Sequence, residues 1–252
     1  MIRLLWIFVL GILLNSCASK KDVWYMQDAD AYPDTEIKYT NSIIQPNDVL
    51  SIQVSAALPE MAEPYNLQMA QGGAMNPQMM NLGGYLVSEN LTINFPVLGT
   101  ISVAGKTTMA LGEDLRKLLE DGGHLKEPGV NVRLLNAKFT VLGEVNGPGT
   151  YVFTEQNINL LQALGYAGDL TINGRRDDIM LIRELEGVRR ITRIDLTNTA
   201  YLDGEFNYIK PNDVIVVNQN EPRVKSAGFI TNPVALIGLF SITLSTIILL
   251  TR

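Results

Sequence analysis

Ile44-Gln45-Pro46-Asn47-Asp48-Val49-Leu50 and, far downstream, Ile209-Lys210-Pro211-Asn212-Asp213-Val214-Ile215 carry one pattern, Ile-x-Pro-Asn-Asp-Val followed by Leu or Ile. Proline presets φ, Asn-Asp favours a turn, and the β-branched residues that follow suit a sheet. Each copy therefore predicts a turn that opens a strand, Val49 to Val54 in the first and Val214 to Val217 in the second. Pro-Asn-Asp is generic turn chemistry, so two unrelated turns are the bland alternative. The length of the match argues against coincidence.

Tyr85 to Val103 reads as strands broken at Pro96 and Gly99. Leu111, Leu115, Leu118 and Leu119 then fall at helical spacing, after a capping Thr107 and before the stop Gly122-Gly123. Val130, Val132 and Leu134 alternate as a strand. A second run begins at Phe139 to Val145, turns at Asn146-Gly147-Pro148-Gly149 and returns through Tyr151 to Phe153. Asn159-Leu160-Leu161-Gln162 opens a short helix with a box-like cap. Ile179 to Leu185 and Ile191 to Leu196 read as further strands. This order fits an α+β chain of two short mixed units. Residues 60–84, rich in Met, Gln, Asn and Gly, read as a long loop. Thioethers can bind soft metals, but no His or Cys joins these methionines, which favours a flexible or partner-facing loop.

The two ends have a different character. Arg3 precedes an apolar run from Leu4 to Leu14, too short to span a bilayer and suited to a signal peptide over residues 1–16. Leu14-Asn15-Ser16-Cys17 resembles a bacterial lipobox, and the chain's one cysteine stands where lipidation requires it. Cys17 is thus the expected acylation site, ahead of a polar tether over 17–43. At the other end Ser226 to Thr251 has no charge, and Asn232-Pro233 suits a helix start. The 19 residues from Pro233 to Thr251 would make about 28 Å of helix, so a transmembrane helix is expected within 223–252. Gly238, Ser241 and Ser245 share one stripe of that helix, with Ser241 and Ser245 in small-xxx-small spacing. Either the helix is a plain anchor, or the stripe serves helix packing or lines a pore.

The chain has 252 residues, 46% of them hydrophobic, and a net charge of −6. A core is affordable, and broad nucleic-acid binding is not expected of so few excess cations. Gly105-Lys106-Thr107 is not a P-loop, because the required earlier glycine position holds Thr100. His124 is the only histidine, which makes a structural zinc site unexpected. Asp177-Asp178 is a carboxylate pair of the kind glycosidases use, but solvated turn residues are far commoner. No catalytic residue, cofactor or metal is expected.

Several stretches together resemble the outer-membrane polysaccharide export lipoproteins. They are the lipobox, Lys21 to Asp28, the first Pro-Asn-Asp-Val turn, Phe95 to Thr107, Val141 to Tyr151 and Leu161 to Gly168. The resemblance implies a polysaccharide export domain over 44–136 and one β-grasp soluble-ligand-binding domain over 137–222. It further implies a ring-shaped homo-oligomer at the outer membrane whose C-terminal helices form a passage for capsule or exopolysaccharide. An inner-membrane copolymerase, often with a tyrosine kinase, would dock beneath. The partners so expected are further copies of the chain, that copolymerase, the polysaccharide and membrane lipid. A non-pore, periplasm-facing glycan-binding or structural lipoprotein is the alternative, and a glycan-cleaving enzyme has no residue set behind it.

Overall fold

The computed structural model describes residues 23–37, 39, 41–67, 83–185, 187–221, 223 and 233–250. The signal segment, Cys17 and most of the Met-rich stretch lie outside the described residues. Among these residues twelve strands and three longer helices follow in order. The strands of the first half are β1 Val49–Ser55, β2 Tyr85–Leu86, β3 Thr92–Phe95, β4 Gly99–Ser102 and β5 Gly129–Leu134, with helix α1 Thr108–Asp121 between the last two. The second half has β6 Lys138–Gly143, β7 Gly149–Val152, β8 Ile158–Asn159, helix α2 Leu160–Tyr166, β9 Gly174–Leu185, β10 Val188–Ile194, β11 Tyr208–Ile209 and β12 Val214–Gln219. Helix α3 is Pro233–Leu250.

In the first half β1 lies between β2 and β5, antiparallel to both. Strand side chains alternate between faces. Leu50, Ile52 and Val54 therefore enter the core, while Ser51, Gln53 and Ser55 face outward. Helix α1 closes that core with Leu111, Leu115 and Leu119, all fully buried. Removing each such side chain from water is worth about 1.5–3 kcal/mol. Thr107 caps the helix by accepting the Ala110 N–H at 3.2 Å. The β3–β4 hairpin adds Ile93, Phe95 and Ile101.

The second half is built on a mixed five-stranded sheet in the order β10-β9-β12-β6-β7, with β6 and β12 as its parallel pair. Phe139 and Val141 from β6, Ile179 and Leu181 from β9, and Ile215 and Val217 from β12 form one core with Leu160, Ala163 and Leu164 of α2. Asn159 and Gln162 make a reciprocal capping box at the start of α2. Gly143 sits at φ +91°, and a Cβ there would lie 2.0 Å from the Val217 carbonyl oxygen. Only glycine lets β6 and β12 approach at that point. Leu134, at the end of β5, packs against the cores of both halves.

The segment ahead of the first turn lies along the second half. The Met26 and Gln27 N–H groups donate to the Leu196 and Thr197 carbonyls at 2.9 and 2.7 Å. The Asp28 carboxylate accepts the Thr199 N–H at 2.8 Å and its hydroxyl at 3.0 Å. The Tyr25 hydroxyl donates to Asp169 at 2.5 Å, with the Arg176 guanidinium over its ring.

The expected transmembrane helix is corrected. Among the described residues no helix is long and apolar enough to cross a membrane. Helix α3 has 18 residues, about 27 Å of rise, against a hydrocarbon core of about 30 Å. The mixed α+β character holds, without a membrane-crossing C-terminal helix.

Candidate functional site

Among the described residues a concavity lies over the first sheet, an open cavity of about 1230 Å³ along β1 and β5. Its polar wall comes from the outward faces of these strands. Antiparallel register sets Gln53 directly opposite Asn131 and Ser55 opposite Gly129. Side chains facing each other this way stand about 4.5–5.5 Å apart at Cβ. Ser51, Gln53 and Asn131 take no side-chain partner among the described residues, so their amides and hydroxyl are available to a ligand. Leu67 adds an exposed apolar side chain at its rim, while Ile52 and Val54 border it from the core side of the sheet. A Cβ on Gly129 would fall 2.5 Å from the Ser55 hydroxyl, which keeps the end of the wall low.

Asn66 borders the cavity in another role. Its side-chain oxygen accepts the Val54 N–H at 2.8 Å and its amide donates to the Val54 carbonyl at 2.9 Å. The side chain thus replaces a neighbouring strand at the margin of β1, where backbone groups need partners. Sequence reading did not single out Ser51, Gln53, Asn131 or Asn66. The alternation of polar and apolar residues along β1 was the available signal for the first two.

The repeated turns flank the two sheets with one geometry. Asn47 and Asn212 sit at φ 67° and 68°. The Asp48 carboxylate accepts the Gln45 N–H at 2.8 Å, and Asp213 accepts the Lys210 N–H at 2.8 Å. The two carboxylates then differ. Asp213 is paired with Arg183 through bonds of 3.0 and 2.7 Å, both side chains being buried. Arg183 also donates to the Tyr208 carbonyl at 2.7 Å and lies over the Phe206 ring. Burial raises the Asp213 pKa, and the Arg183 guanidinium pulls against it. Asp48 has no such cation among the described residues. Burial pushes its carboxyl up to about 6, opposed only by the Gln45 N–H.

Other positions singled out in the sequence are occupied by structure. Gly105 turns the chain at φ +68°, and the Lys106 ammonium sits on Asp114 at 2.8 Å. His124 follows the end of α1 and meets the Tyr65 ring edge-on. Asp177 is held by Arg175 at 2.9 Å, and Asp178 by Arg193 with help from Asn218. These hydrogen bonds pull both carboxyls below their ordinary range. A glycosidase acid needs the opposite shift. Among the described residues no group of His, Cys, Asp and Glu is arranged to hold a metal. Ser241 and Ser245 are exposed on α3, with Gly238 half-buried one turn earlier.

Comparison with known proteins matches this division. The family model described as polysaccharide biosynthesis/export protein covers residues 38–135, and that of the SLBB domain covers residues 138–193. The EPS I polysaccharide export outer membrane protein EpsA of Ralstonia solanacearum is 30% identical over 204 residues, 78% of this chain and 52% of that protein. Its namesake from Ralstonia nicotianae is 32% identical over 153 residues, 58% of this chain and 39% of the relative. The chain thus spans about half the length, or less, of these relatives. With the export model on the first core, the SLBB model on the second and relatives of the same kind, the chain belongs to the polysaccharide biosynthesis/export protein family.

Proposed function

We propose that this chain is a subunit of an oligomeric outer-membrane assembly that moves capsular or exopolysaccharide from the periplasm to the cell surface. The observation that carries the reading is the coincidence of two family models, in sequence order, with two hydrophobic cores. The outer-membrane location rests on the names of the relatives. The first half is read as the export domain over 44–136. The second, over 137–222, is read as a β-grasp domain, in keeping with its central parallel pair and the helix against it. Acyl chains on Cys17 hold the subunit to lipid, the assembly is a ring of copies, and an inner-membrane copolymerase or tyrosine kinase meets it from below. The chain acts as a transport component and not as an enzyme.

The test is deletion of the gene followed by complementation. Surface polysaccharide should fall when the gene is removed and return with the intact chain; unchanged surface polysaccharide would reject the reading. Radiolabelled palmitate should enter the chain and be lost from Cys17→Ala. The 18-residue length of α3 favours a second reading, a glycan-binding or structural lipoprotein without a pore. A monomeric mass in mild detergent selects that reading, and a ring-sized mass selects the first.

A further inference from the structure

The outer face of the second sheet breaks the pattern kept by the first. In β1 apolar Leu50, Ile52 and Val54 alternate with Ser51, Gln53 and Ser55, as a sheet with one wet face requires. In β9 and β12 the runs Ile179-Met180-Leu181-Ile182 and Val214-Ile215-Val216-Val217 are apolar without a break. Runs of that kind belong to strands covered on both faces. The core among the described residues lies on one face alone, the one that takes Ile179, Leu181, Ile215 and Val217. On the other face the register sets Ile191, Ile182, Val214, Thr140 and Thr150 in one row across all five strands. Met180, Val216 and Leu142 form a second row beside it. Ile191 is 60% exposed and Leu142 44%.

We propose that this face is an interface between copies of the chain, an inference that deepens the assembly reading above and rests on it. A saccharide finds little to bind there, because the Thr140 and Thr150 hydroxyls already have each other as partners at 2.9 Å. The carboxylates at the ends of the rows are neutralised within the chain: Arg189 donates to Glu184 at 2.6 Å, and Arg193 and Asn218 donate to Asp178. Copies that each carry a net charge of −6 repel one another, so they meet best where carboxylates are already paired. Lys138, exposed at the margin and without an ion pair among the described residues, adds a positive charge that suits an acidic neighbour such as a second copy. Five strands about 4.8 Å apart make the face roughly 20 Å wide. A stable interface covers about 800 Å² on each side, with an apolar centre and a polar rim. The two apolar rows and their charged ends have that arrangement.

The experiment compares the full acylated chain in mild detergent with its Leu142→Lys/Ile191→Lys variant. Mass is read by light scattering, and the reactivity of Met180 by hydroxyl-radical labelling. The wild type should be multimeric and the variant monomeric, with Met180 at least about fivefold more reactive in the variant. Leu86→Lys/Met109→Lys, which charges two exposed apolar positions of the first half, should change neither mass nor Met180 reactivity. Protected β12 amides in the monomeric variant would show its sheet intact; where lysine prevents folding, Leu142→Thr/Ile191→Thr is read by the same criteria. A monomeric wild type overturns the proposal, as does a Leu142/Ile191 variant that stays multimeric with Met180 unchanged. So does dilution that dissociates the wild type and leaves Met180 as protected as before, since something other than a copy then covers the face. If the intact gene restores surface polysaccharide while the variant still multimerises, this interface falls and the export reading stands.

Discussion

The two Pro-Asn-Asp turns make a comparison within one molecule. Each asparagine is in the left-handed region, and each aspartate accepts the N–H three residues before it. Each turn is also locked to a segment distant in sequence by a pair of backbone bonds. Asn47 donates to Val87 and Val87 to Asp48 in the first; Asn212 donates to Lys138 and Thr140 to Asp213 in the second. The backbone solution is therefore the same, while the electrostatic solution is not. Asp213 faces a buried guanidinium; Asp48 is buried almost alone. Similar local sequence sets a similar turn, and the strand packed beside it decides what the carboxylate costs.

Asp213→Asn should have the largest effect. It leaves Arg183 charged and buried without its counterion, which costs about 3 kcal/mol or more. Amide exchange in β9 and β12 should accelerate accordingly, and unchanged exchange would erase the contrast between the turns. Asp48→Asn should act in the opposite sense. The folded pKa of Asp48, about 6, exceeds the ordinary 3.8. Its protonated form therefore favours the fold, and that contribution is complete below about pH 4. It is lost as pH rises through about 6. The loss amounts to at most about 3 kcal/mol, and Asn, which keeps an acceptor for Gln45, should recover part of it at pH 7. Exchange of β1 amides from pH 4 to 7 should show the descent in the wild type and a flatter profile in the variant.

Asn47→Ala and Asn212→Ala should cost about 1–2 kcal/mol each, because a Cβ without a compensating side-chain bond is disfavoured at positive φ. The two losses should be alike, and Gly should be tolerated better at both positions. Unequal losses in urea unfolding would mean that the turns are less similar in energy than in shape. Lys106→Ala should have the smallest effect, below about 0.5 kcal/mol, since its ammonium sits on exposed Asp114 and not on Asp48. A change in the β1 pH profile with this variant would give Asp48 a cation after all.

Much of the architecture was legible because it is local. The spacing of Leu111, Leu115 and Leu119, the cap at Thr107 and the Asn159–Gln162 box depend on residues within a turn or two of one another. Rejecting Gly105-Lys106-Thr107 as a phosphate loop also needed only spacing. The site was less legible. The facing of Gln53 and Asn131 comes from strand pairing between residues far apart in the chain. Tyr25 and Asp28 read as members of a polar tether, yet their partners Asp169 and Thr199 lie 144 and 171 residues away. The C-terminal helix was expected to cross the membrane on its apolar character, and its described length does not reach.

Sequence alone determined the turns, the caps and the inward and outward faces of the strands, since these rest on backbone preferences and on spacing within short windows; the family came from the resemblance of its motifs. Only tertiary structure decided which of two matching aspartates meets an arginine. Arg183 lies on β9, and antiparallel pairing of β9 with β12 brings it to Asp213. Among the described residues no strand delivers a cation to Asp48. Electrostatic pairing depends on distance in space, and the chain sets that distance only once its sheets have formed.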